Sequence, residues 1–348
     1  MVRDFAPTAQ SQAKKQKKKF FRVLLILGFL SVVFFVISIS VGRAGIMNPI
    51  MILRSVFEKS EKNKRMLLIF RNIRAPRAYA SFLVGACLAI SGLVYQTTFN
   101  NKLVSPGILG VSSGCCVGAG IAILFGMSTS MIRLFAFVFG FGAVVIATLL
   151  LKLFRNHSAL TLVLSGIIVG SFMDSVLALI KYAADKQEKL ADIIFWIMGS
   201  LVGIQSNEVL VSVAISSIPF IILLFMGWRI NAISLGPEEA QSLGLNYRVN
   251  RFIIIACATL LTANCVSICG CVGWIGLVIP HISRAFVGDD SRLALPVSAI
   301  SGGLFLLIVD TLSRLISVNE VPISIITGFV GAIIYTIVLA KKGRYINE

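Results

Sequence analysis

The feature that most constrains this chain is a succession of apolar runs, each roughly twenty residues long, broken by short polar interruptions. The runs fall at approximately 23–41, 77–99, 107–125, 131–154, 159–183, 206–227, 249–269, 272–288, 292–314 and 321–341. In hydrocarbon, every backbone N–H and C=O must find its partner within the segment or a closed barrel, and runs of this length predict helices. Composition agrees, because 57% hydrophobic and only 14% charged residues leave too few polar side chains to coat a soluble globule. The expected fold is therefore all-α and polytopic, with ten transmembrane helices.

An even number of spans puts both termini on one side. Lys14, Lys15, Lys17, Lys18, Lys19 and Arg22 before the first run, and Lys341, Lys342 and Arg344 after the last, make that side cytoplasmic. The domain reading is a basic cytoplasmic tail at 1–22, a single ten-helix domain at 23–344 and a short cytoplasmic tail at 345–348. The first run has no Ala-x-Ala-like site after it and reads as an uncleaved helix, not a signal peptide. The net charge of +17 would suggest nucleic acid in a soluble protein, but here it flanks apolar spans, so topology and anionic membrane lipid account for it and no nucleic-acid partner is expected.

Two external features stand out. The loop Gly42–Pro76 is rich in arginine and lysine against the positive-inside tendency, as a docking surface could be. Asp185–Asp192, followed by Ile193–Gly199, reads as a short helix on the membrane surface. Gly110, Gly114 and Gly118 share one helix face, as do Gly166 and Gly170, so neighbouring backbones can approach there.

The stretch Gly236–Leu245 is a small helical island between two apolar segments. Gly236 suits the N-cap, Pro237 the first helical position, Glu238 and Glu239 the first turn, where the helix dipole favours anions, and Gly244 the stop. A helix of about two turns is marginal alone, so this one needs a packing partner.

Little in the chain points to chemistry. No G-x-x-x-x-G-K-[ST] loop is present, so any ATP must be hydrolysed by another polypeptide. Neither His157 nor His281 has a second ligand at metal spacing, and the seven cysteines all lie in apolar context, where small-residue packing outweighs soft-metal binding. Asp310 and Arg314, four apart on one face, read as a local ion pair. Asp174 has no partner in its own span, which points to an interhelical hydrogen bond ahead of a proton relay. Arg74 and Arg77 bracket Pro76 at the outer entrance of the second span, where interfacial anchoring and partner docking are both open readings.

Several segments together resemble one family, the iron-chelate and cobalamin permeases of bacterial binding-protein-dependent ABC importers. They are Arg74-Ala-Pro-Arg77 running into Leu83–Gly92 and Gln96, Asn101–Gly114, Leu235–Leu245, Gly273–Arg284, Asp310-x-x-x-Arg314 and Glu320–Gly328. The resemblance extends from about residue 70 to the C-terminus. It implies the type II permease fold of ABC importers, with a second permease subunit (as a homodimer), an ATP-binding cassette dimer beneath, a soluble or lipid-anchored substrate-binding protein above, and a metal chelate as cargo. ATP and Mg would sit on the ATPase, with no cofactor on this chain, in the bacterial cell membrane. By the same resemblance, the segment at about 229–247 is the ATPase-coupling loop, with Gly236, Glu238, Glu239, Ala240 and Gly244 at the contact. Arg74, Arg77 and Arg314 match arginines that meet acids on the binding protein. Asn101 and Leu103, with Ser158 and Ala159, match the cytoplasmic gate. Lys102 departs from the pattern, which has proline between the two gate positions. A secondary transporter using Asp174 and Asp310 is the rival reading. An intramembrane enzyme is disfavoured, because no Ser/His, paired-Asp or H-E-x-x-H arrangement appears.

Overall fold

A computed structural model describes residues 9–42, 66–153, 159–317 and 320–344. Among these no strand occurs, and thirteen α-helices follow one another: α1 (Ala9–Ser40), α2 (Ala75–Thr98), α3 (Val111–Leu124), α4 (Thr129–Leu153), α5 (Ala159–Ala183), α6 (Lys189–Met198), α7 (Ser206–Phe225), α8 (Gly227–Ser234), α9 (Pro237–Ser242), α10 (Tyr247–Cys269), α11 (Ile275–Val287), α12 (Ser291–Ile316) and α13 (Ile323–Arg344). Seven helical stretches are long and apolar enough to cross a membrane. Three shorter apolar helices, Val111–Leu124, Ile275–Val287 and Ile323–Ile337, coincide with the remaining predicted runs.

Burial sorts these helices into a centre and a periphery. The apolar windows containing α2, α10 and α12 are 83%, 72% and 72% buried, whereas those of α1, α4, α5 and α7 are 17%, 28%, 33% and 28% buried. The outer helices turn large side chains such as Leu25, Phe29, Leu149 and Phe225 outward, as a lipid solvent allows. The central pair α2 and α12 approaches closely at Gly85, where a Cβ would collide with the backbone of Gly302. The predicted glycine face of α3 works likewise, for Gly114 and Gly118 lie against the Phe139 and Phe135 carbonyls of α4. Polar side chains bond the helices together directly. Asn264 of α10 donates to Ser212 Oγ (2.9 Å) and Ser216 Oγ (2.6 Å) of α7, and Tyr95 meets Thr259 at 2.7 Å.

Three boundaries differ from expectation. α1 is helical from Ala9, the first described residue, so the predicted tail is helical through its lysines; these 32 residues span about 48 Å, some 18 Å beyond a hydrocarbon core of about 30 Å. The second helical run begins at Met66, inside the predicted external loop, and passes through a π-helical turn, Phe70–Arg74, that buries Arg74. Residues 43–65 of that loop lie outside the described residues. The surface helix is realised as α6, yet it is not simply laid on a surface. Ile193 is buried, the Gly199 carbonyl accepts from Ile323 N–H (3.0 Å) and Ser200 N–H donates to the Cys269 carbonyl (2.8 Å), tying α6 to the ends of α10 and α13.

Candidate functional site

The Gly236–Leu245 island folds as its sequence signals demand. Gly236 stands at φ 117°, Pro237 opens α9, and Gly244 at φ 78° closes the segment. Leu235, Pro237, Glu238, Glu239, Gln241, Ser242 and Leu243 are exposed, giving an acidic and apolar knob at one end of the bundle. Ala240 is a correction to the expected contact set. It is fully buried within this chain, because it is the inward residue that seats α9 on α8 and α10, and its side chain is not presented to a partner.

The knob is fastened through α8. Asn231 Nδ2 donates to Asp290 Oδ1 (2.8 Å) while its Oδ1 accepts from Ser291 N–H (2.9 Å), a two-way clamp onto the start of α12. Asp290 also N-caps α12 by accepting from Arg292 N–H (3.0 Å). Burial pushes the Asp290 carboxyl up, but hydrogen bonds from Arg292 and Asn231 outweigh it and hold the group below its ordinary 3.8. Sequence reading missed this clamp. The Asp290-Ser291 pair before an apolar run was a visible cap signal; Asn231 carried none.

Asn101 and Leu103, expected at a gate from the resemblance, are exposed at the same end, in the turn after α2, with Leu103 N–H donating to Asn101 Oδ1 (2.9 Å). The departing residue Lys102 pairs with Asp289 (2.9 Å), whose Oδ1 also lies 3.5 Å from Arg284 Nε. Arg284 in turn donates to Gln96 Oε1 and to Thr97 Oγ1 (3.1 Å). The 101–103 turn and the α8 clamp thus converge on adjacent residues, Asp289 and Asp290. Ser158 lies outside the described residues; Ala159 is the first residue of α5, and its side chain is not described.

At the other end of the bundle, the structure departs from the expectation of an open arginine surface. Arg74, Arg77 and Arg314 are only 3%, 5% and 8% exposed. Arg77 bridges Asp310 (2.9 Å) and Glu320 (2.7 Å), and Arg314 lies 3.4 Å from Asp310 as the i,i+4 spacing predicts. Arg74 donates to the Ile39 (2.9 Å) and Ser40 (2.6 Å) carbonyls, and Arg314 donates to Ser38 Oγ (2.7 Å). Both guanidiniums satisfy the carbonyl end of α1, the favourable position for a cation. In this conformation the three arginines knit α1, α2 and α12 together.

Other singled-out residues fall as follows. His281 Nδ1 lies 3.0 Å from the Leu277 carbonyl, a histidine satisfied by its own helix, while His157 is outside the described residues. Six cysteines are buried, and Cys116 Sγ lies 3.2 Å from Cys271 Sγ. Among the described residues, no group of three or more His, Cys, Asp and Glu is placed to hold a metal ion. Asp174 makes no interhelical hydrogen bond among the described residues. It is exposed on α5.

The architecture and its site have relatives. The FecCD transport family matches residues 30–341. This chain belongs to that family. A molybdate import system permease of Haemophilus influenzae is 35% identical over 93% of this chain and 96% of its own length. A Helicobacter pylori permease named for iron chelatin transport is 37% identical over 79% of this chain and 83% of its own. Among solved structures, a transporter of the metal-chelate ABC type in an inward-facing conformation superposes with a TM-score of 0.83 at 34% identity, covering 92% of this chain and 99% of that one. The FecCD chain is accordingly a multi-pass permease subunit of an ABC importer in the bacterial inner membrane, with an all-helical fold of that class. Such subunits are not themselves enzymes.

Proposed function

We propose that this chain carries an iron(III)-siderophore or related metal chelate across the membrane as one of two identical permease subunits, driven by a separate ATPase dimer that grips α9. The observation that carries the coupling role is the exposed, capped knob of α9, locked through Asn231 to the N-terminus of α12. The knob is too short to persist alone and presents two first-turn carboxylates outward, a fit for a basic-rimmed groove. The α9 end is then cytoplasmic, with the basic start of α1, and the arginine knot faces outward.

Movement of α9 biases one helix packing over another, which is how a remote ATP cycle changes access in a two-state element. Reconstitution with the ATPase and binding protein tests the assignment. ATP-dependent uptake of a radioiron-labelled siderophore is expected, and uptake that follows an ion gradient without ATP overturns it. Reversing Glu238 and Glu239 to lysine lowers co-purification of the ATPase at least tenfold while membrane insertion persists. Unchanged co-purification removes α9 from the contact.

The arginines enter docking by exchange. Acidic groups of a binding protein compete with Asp310 and Glu320 for Arg77 and Arg314, and Glu320, whose side chain is 17% exposed, is the competitor nearest solvent. Glu320→Gln therefore raises binding-protein affinity several-fold, most at low salt where screening is least. An unchanged Kd leaves the arginines as structural.

A second cargo is favoured by one observation: the Haemophilus relative, matched over nearly its whole length, is named for molybdate. Haem and cobalamin are further chelates that fit the same scaffold. Parallel uptake assays with labelled siderophore, haem, cobalamin and molybdate separate them.

A further inference from the structure

We propose that Asp174, flanked by Ser171 and Ser175, is a polar selectivity patch in the translocation pathway, one per permease copy, admitting cationic or hydrogen-bond-donating chelates and disfavouring free oxyanions. This rests on the permease reading above and names the chemistry of its cargo.

The first step is position. Asp174 is the fourteenth residue of the 23-residue span Thr161–Ala183, close to its midpoint. Its side chain is exposed, and among the described residues it has no hydrogen-bond or ion-pair partner. Several other ionisable side chains of the helices behave differently. Asp310, Arg77 and Arg314 are buried and paired, Arg133 pairs with Glu208 at the starts of α4 and α7, and Arg284 is held by Gln96 and Thr97 near the 101–103 turn.

The second step is solvent. An ionisable group at mid-membrane facing acyl chains is costly, so the face that carries it turns toward protein or water. Ser171, Ser175 and Ala178 are exposed beside Asp174, a small and polar patch over two turns of the outward face of α5, with Leu164 and Ile167 exposed on the same side one to two turns before it. The Ser175 hydroxyl donates to the Ser171 carbonyl (2.9 Å) and keeps its lone pairs outward. The other side of that face is Ile168, Phe172 and Leu179, suited to lipid or to a second copy. A strip of two hydroxyls and a carboxyl is a surface for water and for polar cargo.

The third step is charge. Two copies bring two such carboxyls to one pathway, with no described cation of α5 nearer than Lys181 to offset them. Their field attracts cations and repels anions, and their oxygens accept hydrogen bonds from the amide or hydroxyl groups of a chelate. Molybdate offers neither a positive charge nor a donor. The patch therefore places this permease with the chelate importers and apart from its molybdate-named relative.

The test needs no knowledge of the cargo. Ser175→Cys is introduced into the full chain in membranes, and its reaction with small cationic and anionic methanethiosulfonates is timed, the parent chain serving as the background for its own thiols. Water access is expected, with the cationic reagent favoured by about fivefold more when Asp174 is present than in the Asp174→Asn background. Cys at 175 inert to both reagents means the strip is sealed against lipid or a second copy and overturns the pathway placement, while leaving ATPase coupling untouched. Reaction with an unchanged cation-to-anion ratio in Asp174→Asn overturns the selectivity. Asp174→Cys, probed alike, keeps the placement testable where the double variant fails to insert.

Discussion

A guanidinium sealed among helices persists only where carboxylates and carbonyls replace its water, and Arg77 shows the arrangement. Asp310, fully buried, meets both Arg77 and Arg314, and together with Glu320 on Arg77 it sets two carboxylates against two guanidiniums in low dielectric. Removing one partner of such a group is far costlier than the pair's net worth. Asp310→Ala is expected to destabilise the permease by about 3–5 kcal/mol, read as a fall in detergent-solubilised thermal midpoint. A fall no larger than that of a surface control would mean the knot is relaxed by water. The i,i+4 pairing of Asp310 and Arg314 was legible from spacing. Its third member, Arg77, and the rim residue Glu320 were not, because Arg77 reaches Asp310 across 233 residues and Glu320 joins only through Arg77, from another segment.

Among elements, the start of α12 matters most, since it joins the knob to the bundle. Its cap makes a pH prediction with a defined sign. Asp290 is held below its ordinary value of 3.8 in the fold, so the folded state binds the proton less tightly than the unfolded chain. The cap's contribution is therefore complete above about 3.8 and disappears as pH falls through the lower folded value. Stability against acid should lose that part of its slope in Asp290→Asn, measured by unfolding between pH 2 and 5 in roughly unit steps. Helix positions were legible to within a few residues for most spans, because a solvent that offers no hydrogen bonds leaves a single apolar segment one backbone solution, the helix. The helical course of α1 through Lys14–Lys19 was missed because lysine is a good helix former: its charge marks the membrane edge, not the end of the helix.

At the scale of the molecule, the seven long and three shorter apolar helices among the described residues place both termini on the α9 side if all ten cross. Tags at the two ends should both be reached by protease in inside-out vesicles, and protection of one alone would show an odd number of crossings. The sequence by itself determined the all-helical membrane fold, the caps of α9 and the family, because apolar length, helix punctuation and motif order are local properties that survive without neighbours. Only the tertiary structure decided what the charges do. It turned Arg74, Arg77 and Arg314 inward, gave Lys102 a partner in Asp289, turned Ala240 into a seat instead of a contact, and left Asp174 outward. Whether a charge in a membrane helix is a cost, a clamp or a site depends on which helix stands opposite. That is fixed by packing between segments hundreds of residues apart, which no window along the chain contains.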